Sequence, residues 1–220
     1  VTSPTPWSDP ARSTDWDHNA RYQHLLLRRV PRDAVRVLEV GCGAGALARR
    51  LAALGPRVDA VDVDPAMVAA ASEGAPPGLQ VWQADVLTVE LPPGSYDAVV
   101  SLAALHHLPL EPALRRMAGW VRPGGVLALV ALPRTDLPRE LPVELAAVVT
   151  HHGIGLALGL ARRLGANTPW QREPTHARMP VHEPTLTTRQ VREVAASVLP
   201  GARVRRLLLW RYEITWRRPV

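Results

Sequence analysis

VLEVGCGAG, residues 37–45, is the stretch whose reading decides the fold. Val35 to Val40 is a short apolar run rich in β-branched side chains, the composition of a strand buried on both faces. Gly41, Gly43 and Gly45 follow at once, and Ala46 to Leu54 carries helical spacing up to a Gly55-Pro56 stop. Glycines wedged between a strand and a helix let the backbone turn tightly and approach a ligand, while the helix offers unpaired N–H groups. The alternation continues outward. Val58–Val63 reads as a second strand, Pro65 opens a helix capped by Asp64 that runs to about Glu73, and Leu79–Gln83 is a third strand. Tyr96–Ser101 and Gly125–Leu132 supply a fourth and a fifth, with a helix at Ala113–Trp120 between them. Strand and helix at this spacing predict an α/β fold built on a parallel sheet covered on both faces.

The ends and one internal stretch depart from that rhythm. Residues 1–16 hold prolines and small polar groups and are expected to form a flexible arm. Residues 17–30 read as a cap helix with Tyr22, Leu25, Leu26 and Arg29 on one face. Residues 133–186 form a Pro-punctuated insertion around a helix from about Arg139 to Leu164, and a segment this long reads as a lid or substrate-binding insertion. Thr188 is placed to cap a helix reaching Val198, and Ala202–Leu209 and Trp210–Trp216 read as an antiparallel edge pair. At 220 residues the chain is expected to be a single domain.

The net charge of +6 comes entirely from arginine, since the chain has no lysine. Arg-Arg pairs begin at Arg28, Arg49, Arg115, Arg162, Arg205 and Arg217, scattered along the chain, so a solvated basic surface is expected and nucleic acid is not expected as a partner. Cys42 is the lone cysteine and has no internal partner, which suits a reducing compartment, and the cytoplasm is the expected location. No window is judged to approach the roughly 18 uncharged apolar residues of a membrane span, so no membrane partner is expected.

Read alone, the glycine loop leaves its ligand open. Gly41-x-Gly43-x-x-Ala46 also satisfies a dinucleotide fingerprint, with Asp62 about 20 residues on, where a ribose-binding acid belongs. Two further acids shift the balance. Glu39 ends a buried strand, where an unpaired carboxylate is costly and a partner is expected. Asp85 lies just past the third strand, within reach of the crevice above the strands' carboxyl ends. Three acids suit a cationic, amino-bearing ligand such as S-adenosyl-L-methionine better than a pyrophosphate.

VLEVGCGAG, VDVDPAMVAAA at 61–71, QADV at 83–86, YDAVVSLAALHHLP at 96–109 and VRPGGVLALV at 121–130 resemble, in order and spacing, the successive motifs of class I S-adenosylmethionine-dependent methyltransferases. The resemblance covers about 35–217. It implies a Rossmann-like, doubly wound seven-stranded mixed sheet with an antiparallel C-terminal strand. It also implies a donor site in which Gly41, Cys42 and Gly43 pack on the methionine portion, Asp62 takes the ribose hydroxyls and Asp85 the adenine amine. Glu39, Val63, Val86 and Ser101 complete that set, and Tyr22 closes over the donor by analogy with small actinobacterial members. S-adenosyl-L-homocysteine is the implied product. Cys42 is expected to be a small filler without a base to activate it.

His106 and His107, after the fourth strand, are the candidates for a general base, if the acceptor must lose a proton; bracing of the loop is the plainer alternative. His151, His152, His176, His182, His18, His24, Trp7 and Trp170 are further candidates for a pocket wall, and none has metal-ligand spacing. The expected reaction is O- or N-methylation of a small-molecule acceptor in secondary-metabolite biosynthesis, with a homodimer allowed for. RNA or protein methylation, a donor-binding protein with another reaction, and a nicotinamide oxidoreductase stand as alternatives; the last lacks a Tyr-Lys pair.

Overall fold

The computed structural model describes residues 16–170 and 183–220. Trp7, His176 and His182 lie outside the described residues, as do residues 1–15 of the expected arm. Along the chain run α1 (His18–Leu27), β1 (Arg36–Val40), α2 (Ala46–Ala52), β2 (Arg57–Asp62), α3 (Pro65–Ser72), β3 (Leu79–Gln83) and β4 (Tyr96–Leu102). A 3-10 turn at Leu105–His107 leads into α4 (Leu110–Trp120), β5 (Val121–Ala131), α5 (Leu141–Arg163), α6 (Thr188–Val198), β6 (Arg203–Leu207) and β7 (Arg211–Arg217).

The strands form one sheet in the order β3-β2-β1-β4-β5-β7-β6. β1 runs parallel to β2 and β4, β2 to β3, and β4 to β5, whereas β7 lies antiparallel between β5 and β6. This is the expected mixed, doubly wound sheet, reversing its strand order at β1 and β4. Alternate side chains of β1 feed two cores. Leu38 and Val40 join Met117, Trp120 and Val191 under α4 and α6, while Val37 joins Leu26, Leu47 and Ala48 under α1 and α2.

Local chemistry explains the boundaries. Asp64 caps α3 by accepting the Ala66 N–H at 2.8 Å, with Pro65 in the first turn where its missing donor costs nothing. α4 buries Leu110, Ala113, Leu114, Met117 and Trp120, a stripe at helical spacing.

Several expectations need correction. Trp16, placed with the arm, is 2% exposed and packs among His18, His151 and Trp170. α6 is capped by Thr187 and not Thr188, because Gln190 completes a capping box with Thr187. β5 begins at Val121, since Pro123-Gly124-Gly125 sits in a register shift of the strand and not in a preceding turn. The final strands are not both marginal: β7 is interior and β6 alone lies at that edge.

The basic surface is only partly solvated. Arg49 donates to the carbonyls of Ala44, Ala70, Ala71 and Glu73 and so fastens the glycine loop to α3. Arg206 is half-buried against Glu140 and Glu144, and Glu213 takes both Arg29 and Arg205. Finally, α5 contains an 18-residue window with a mean hydropathy of 1.4 and is, by length and composition, long and apolar enough to cross a membrane, which overturns the reading that no window approaches that composition. His151, His152 and the interspersed glycines mask the run in the sequence.

Candidate functional site

The carboxyl ends of β1, β2, β3 and β4 converge on one crevice. Gly41 and Cys42 donate their N–H groups to the Val61 carbonyl at 2.8 and 3.1 Å, which lays the glycine loop across the end of β2. Gly43 N–H donates to Asp62 Oδ2 at 2.8 Å, and Asp64 N–H donates to Oδ1 at 3.0 Å. Asp62 therefore holds the loop as well as facing the crevice, and each oxygen keeps a further lone pair.

Gly41 is required by contact and by backbone. Its φ is +71°, and a Cβ there would stand 2.2 Å from the Ala104 Cβ. The loop after β4 thus abuts the glycine loop. Ala103, one residue earlier, takes a φ of +57°, an uncommon conformation for a residue with a side chain, and its N–H donates to the Val130 carbonyl at 2.7 Å. Sequence reasoning missed Ala103 and Ala104; an alanine in the left-handed region leaves no compositional signal.

Glu39 is 2% exposed, and its Oε2 has no hydrogen-bond partner among the described residues. Burial, reinforced by the negative charge of Asp62, pushes its carboxyl well above the usual carboxylate range. A buried acceptor left open beside a second acid fits a ligand that brings a positive, hydrogen-bonding group, as the ammonium of S-adenosyl-L-methionine does. Cys42 is buried, its thiol donating towards the Gly43 carbonyl at 3.6 Å, and burial with the charges of Glu39 and Asp62 pushes the thiol up. It remains a thiol and not a nucleophile.

The remaining candidates divide by where their atoms go. Asp85 is exposed and accepts the Leu87 N–H at 2.8 Å, one strand beyond Asp62. Val63 is exposed, whereas Val86 turns its side chain into the core under α4, leaving only its backbone near the crevice. Ser101 spends its hydroxyl on the Val40 carbonyl at 2.7 Å and so binds β4 to β1. Tyr22 donates its hydroxyl to the Leu208 carbonyl, which docks α1 on the β6–β7 turn. His106 and His107 share the 3-10 turn with ring centroids 4.0 Å apart, His107 exposed and His106 half-buried.

A second group, unforeseen as a unit, stands where α1, α5 and the β6–β7 turn meet. His18 Nε2 and His151 Nδ1 share a hydrogen bond of 3.0 Å between the rings of Trp16 and Trp210. The residues were legible singly; their 133-residue separation hid the pairing. His24 is exposed and bonded to the Arg21 carbonyl, and His152 to that of Val148, both away from this pair. A separate cleft of about 440 Å³, lined by Arg28, Arg29, Arg203 and Arg217, lies by the start of β5's regular pairing, at the opposite edge from the glycine loop. Among the described residues, no three of His, Cys, Asp and Glu gather as a metal site.

Known proteins resemble this chain in sequence and in fold. A family profile described as a methyltransferase domain matches residues 38–129, from β1 to β5. An uncharacterised methyltransferase of Mycobacterium bovis is 39% identical over 207 residues, covering 93% of this chain and 98% of the relative. A ubiquinone biosynthesis O-methyltransferase of Xanthomonas campestris is 36% identical over 137 residues, 56% of this chain and 57% of that one. The crystal structure of a SAM-dependent methyltransferase from Aquifex aeolicus superposes with a TM-score of 0.58 at 18% identity, covering 95% and 93% of the two chains. The sheet order, the glycine loop seated on Asp62 and a relative matched over nearly its whole length agree: this chain belongs to the class I S-adenosylmethionine-dependent methyltransferases, enzymes whose methyl donor is S-adenosyl-L-methionine.

Proposed function

We propose that this methyltransferase transfers a methyl group to an oxygen or nitrogen of a small-molecule acceptor, in secondary-metabolite biosynthesis. The unpartnered Glu39 oxygen beside Asp62 carries the reading of the donor site. There Glu39 would accept from the donor's ammonium, Asp62 from its ribose hydroxyls and Asp85 from its adenine amine. Gly41, Cys42 and Gly43 would pack on the methionine portion, Ser101 would hold the crevice floor through Val40, and Val63 and Val86 would flank the adenosine through backbone atoms. Tyr22 would close this side by fixing α1 against the β6–β7 turn.

When bound, S-adenosyl-L-methionine supplies a methyl group already activated by its sulfonium. What is left to the protein is to align the acceptor and exclude water. His107, exposed on the turn after β4, would take a proton from a hydroxyl acceptor, and the half-buried His106 would brace it. The Xanthomonas relative, named for O-methylation in ubiquinone biosynthesis, supports a small acceptor methylated at oxygen.

Calorimetry with S-adenosyl-L-methionine, S-adenosyl-L-homocysteine and NAD is expected to show binding of the first two only. Donor-dependent turnover is expected with members of a small-molecule panel and not with bulk RNA; the reverse result would reassign the acceptor. Turnover by His107→Ala that matches the parent at every pH would remove its role as a base.

A further inference from the structure

Helix α5 turns an apolar side outward. Leu145, Val149, Leu156 and Leu160 fall four, seven and four residues apart and so share one stripe, with Val149 73% and Leu156 69% exposed. From Leu145 to Ala161 the helix has no Asp, Glu or Arg. The exposed apolar side chains together cover an area on the order of several hundred Å², at the upper end of the about 300–600 Å² that marks the largest patch of an ordinary monomer.

The opposite side of α5 is tied to the domain. Ala147, Gly155 and Gly159 are buried against it, His151 accepts the Trp16 Nε1–H on its carbonyl at 3.3 Å, and Glu144 accepts Arg206 at 2.6 Å and Trp210 Nε1–H at 2.7 Å. At 23 residues the helix could span an apolar bilayer core by length. Spanning would strip Glu144 from Arg206 and Trp210 and carry its carboxylate into hydrocarbon without those partners. The helix can therefore meet a membrane only by lying in its surface.

Charge distinguishes the occupants. Arg139, at 4.0 Å from Asp136, precedes the helix with its side chain 72% exposed, and Arg163 ends it on the stripe's own face. The acids near its start, Glu140 and Glu144, have side chains only 15% exposed and are engaged by Arg206. A second copy packed two-fold on this stripe would set Arg139 against Arg163 if antiparallel, or each arginine against itself if parallel, with no exposed acid of α5 to answer it. A negatively charged lipid surface accepts the apolar stripe and both arginines together, and the net charge of +6 adds to the attraction.

We propose that the outer face of α5 docks in the plane of an anionic lipid surface. Because Glu144 of α5 is bonded to Arg206 and Trp210 at the β6–β7 turn, beside the carboxyl end of β5 where Ala131 pairs with Tyr212, docking holds the carboxyl edge of the sheet beside the headgroups. The acceptor class this implies is amphiphilic, and that part alone rests on the methyl-transfer reading.

Flotation of the full chain with vesicles tests the surface without donor, acceptor or turnover. The chain is expected to float with phosphatidylglycerol/phosphatidylcholine vesicles, to do so poorly with phosphatidylcholine alone, and to be weakened by about 0.5 M salt. Val149→Glu/Leu156→Glu is expected to lower partition by roughly tenfold or more, with S-adenosyl-L-homocysteine affinity and melting temperature retained. Leu156→Ser, a milder change, is expected to act in the same direction. A parent chain that does not float, or variants that float equally, overturns the proposal. A vesicle-free dimer that the same substitutions dissociate assigns the face to a second copy and also overturns it. Failure of the parent to bind S-adenosyl-L-homocysteine would sink the donor reading alone, since flotation needs no donor and decides the surface independently.

Discussion

Burial and the neighbouring Asp62 both disfavour a charged Glu39, so a cationic group entering the crevice must draw the proton away as it pairs. Donor binding is then expected to release a proton and to tighten as pH rises. Glu39→Gln should bind S-adenosyl-L-homocysteine at least about tenfold more weakly and lose the proton release, which calorimetry in two buffers of different ionisation enthalpy reads directly. The sign for stability is opposite. A carboxyl raised in the folded state contributes stability below its unfolded pKa, lost as pH climbs through the raised value, so the ligand-free chain softens there and the donor restores it. Asp62→Ala removes two loop hydrogen bonds together with the acceptor proposed for the ribose hydroxyls, and is expected to cost about 3 kcal/mol of donor binding, roughly a hundredfold; unchanged affinity in a titration would take Asp62 out of the site. Glu39, Asp62 and the glycines were legible because the chemistry sits in the residue types and their spacing. Ser101 was legible only as what the family resemblance implies and Ala103 not at all, since the Ser101 contact is fixed by the approach of β4 to β1 and Ala103 by a dihedral angle.

Among the elements, α6 shows how a local rule resolves a boundary. Thr187 and Thr188 both offer a hydroxyl, but only Thr187 has a glutamine three residues on, and the Thr188 hydroxyl is buried without a partner among the described residues. Thr187→Ala is expected to destabilise the chain by about 1 kcal/mol, visible as a lower urea midpoint. Reading Gln190 would have placed the cap from sequence. The start of β5 was harder, because Pro123-Gly124-Gly125 is turn chemistry wherever no neighbouring strand overrides it, and here β4 does. Helix α5 was found nearly to its ends, yet its orientation was not: leucines at helical spacing do not say which side the rest of the chain will cover.

At the scale of the molecule, the alternation of strands and helices made the parallel half of the sheet readable, because each crossover is local. The insertion of β7 between β5 and β6 depends on pairing between residues some 85 apart, such as Val130 with Glu213, and no short pattern encodes it. Glu213 is the pivot of that closure. Its side chain is 2% exposed and receives Arg29 from beyond α1 and Arg205 from β6, at 2.8 and 2.5 Å. Glu213→Ala is expected to cost roughly 1–3 kcal/mol, held to that range because both arginines are more than a third exposed and can turn to water; thermal melting checks it, and loss should appear first as fraying of α1 in hydrogen exchange. The same β6 leaves one flank of its backbone unpaired among the described residues, a standing invitation to any extended segment of another molecule. Three of its five residues are arginines. Arg205 and Arg206 are already engaged by Glu213 and by Glu140 and Glu144, so what this flank sets before an incoming strand is a screen of long, fastened side chains rather than a row of uncompensated charge.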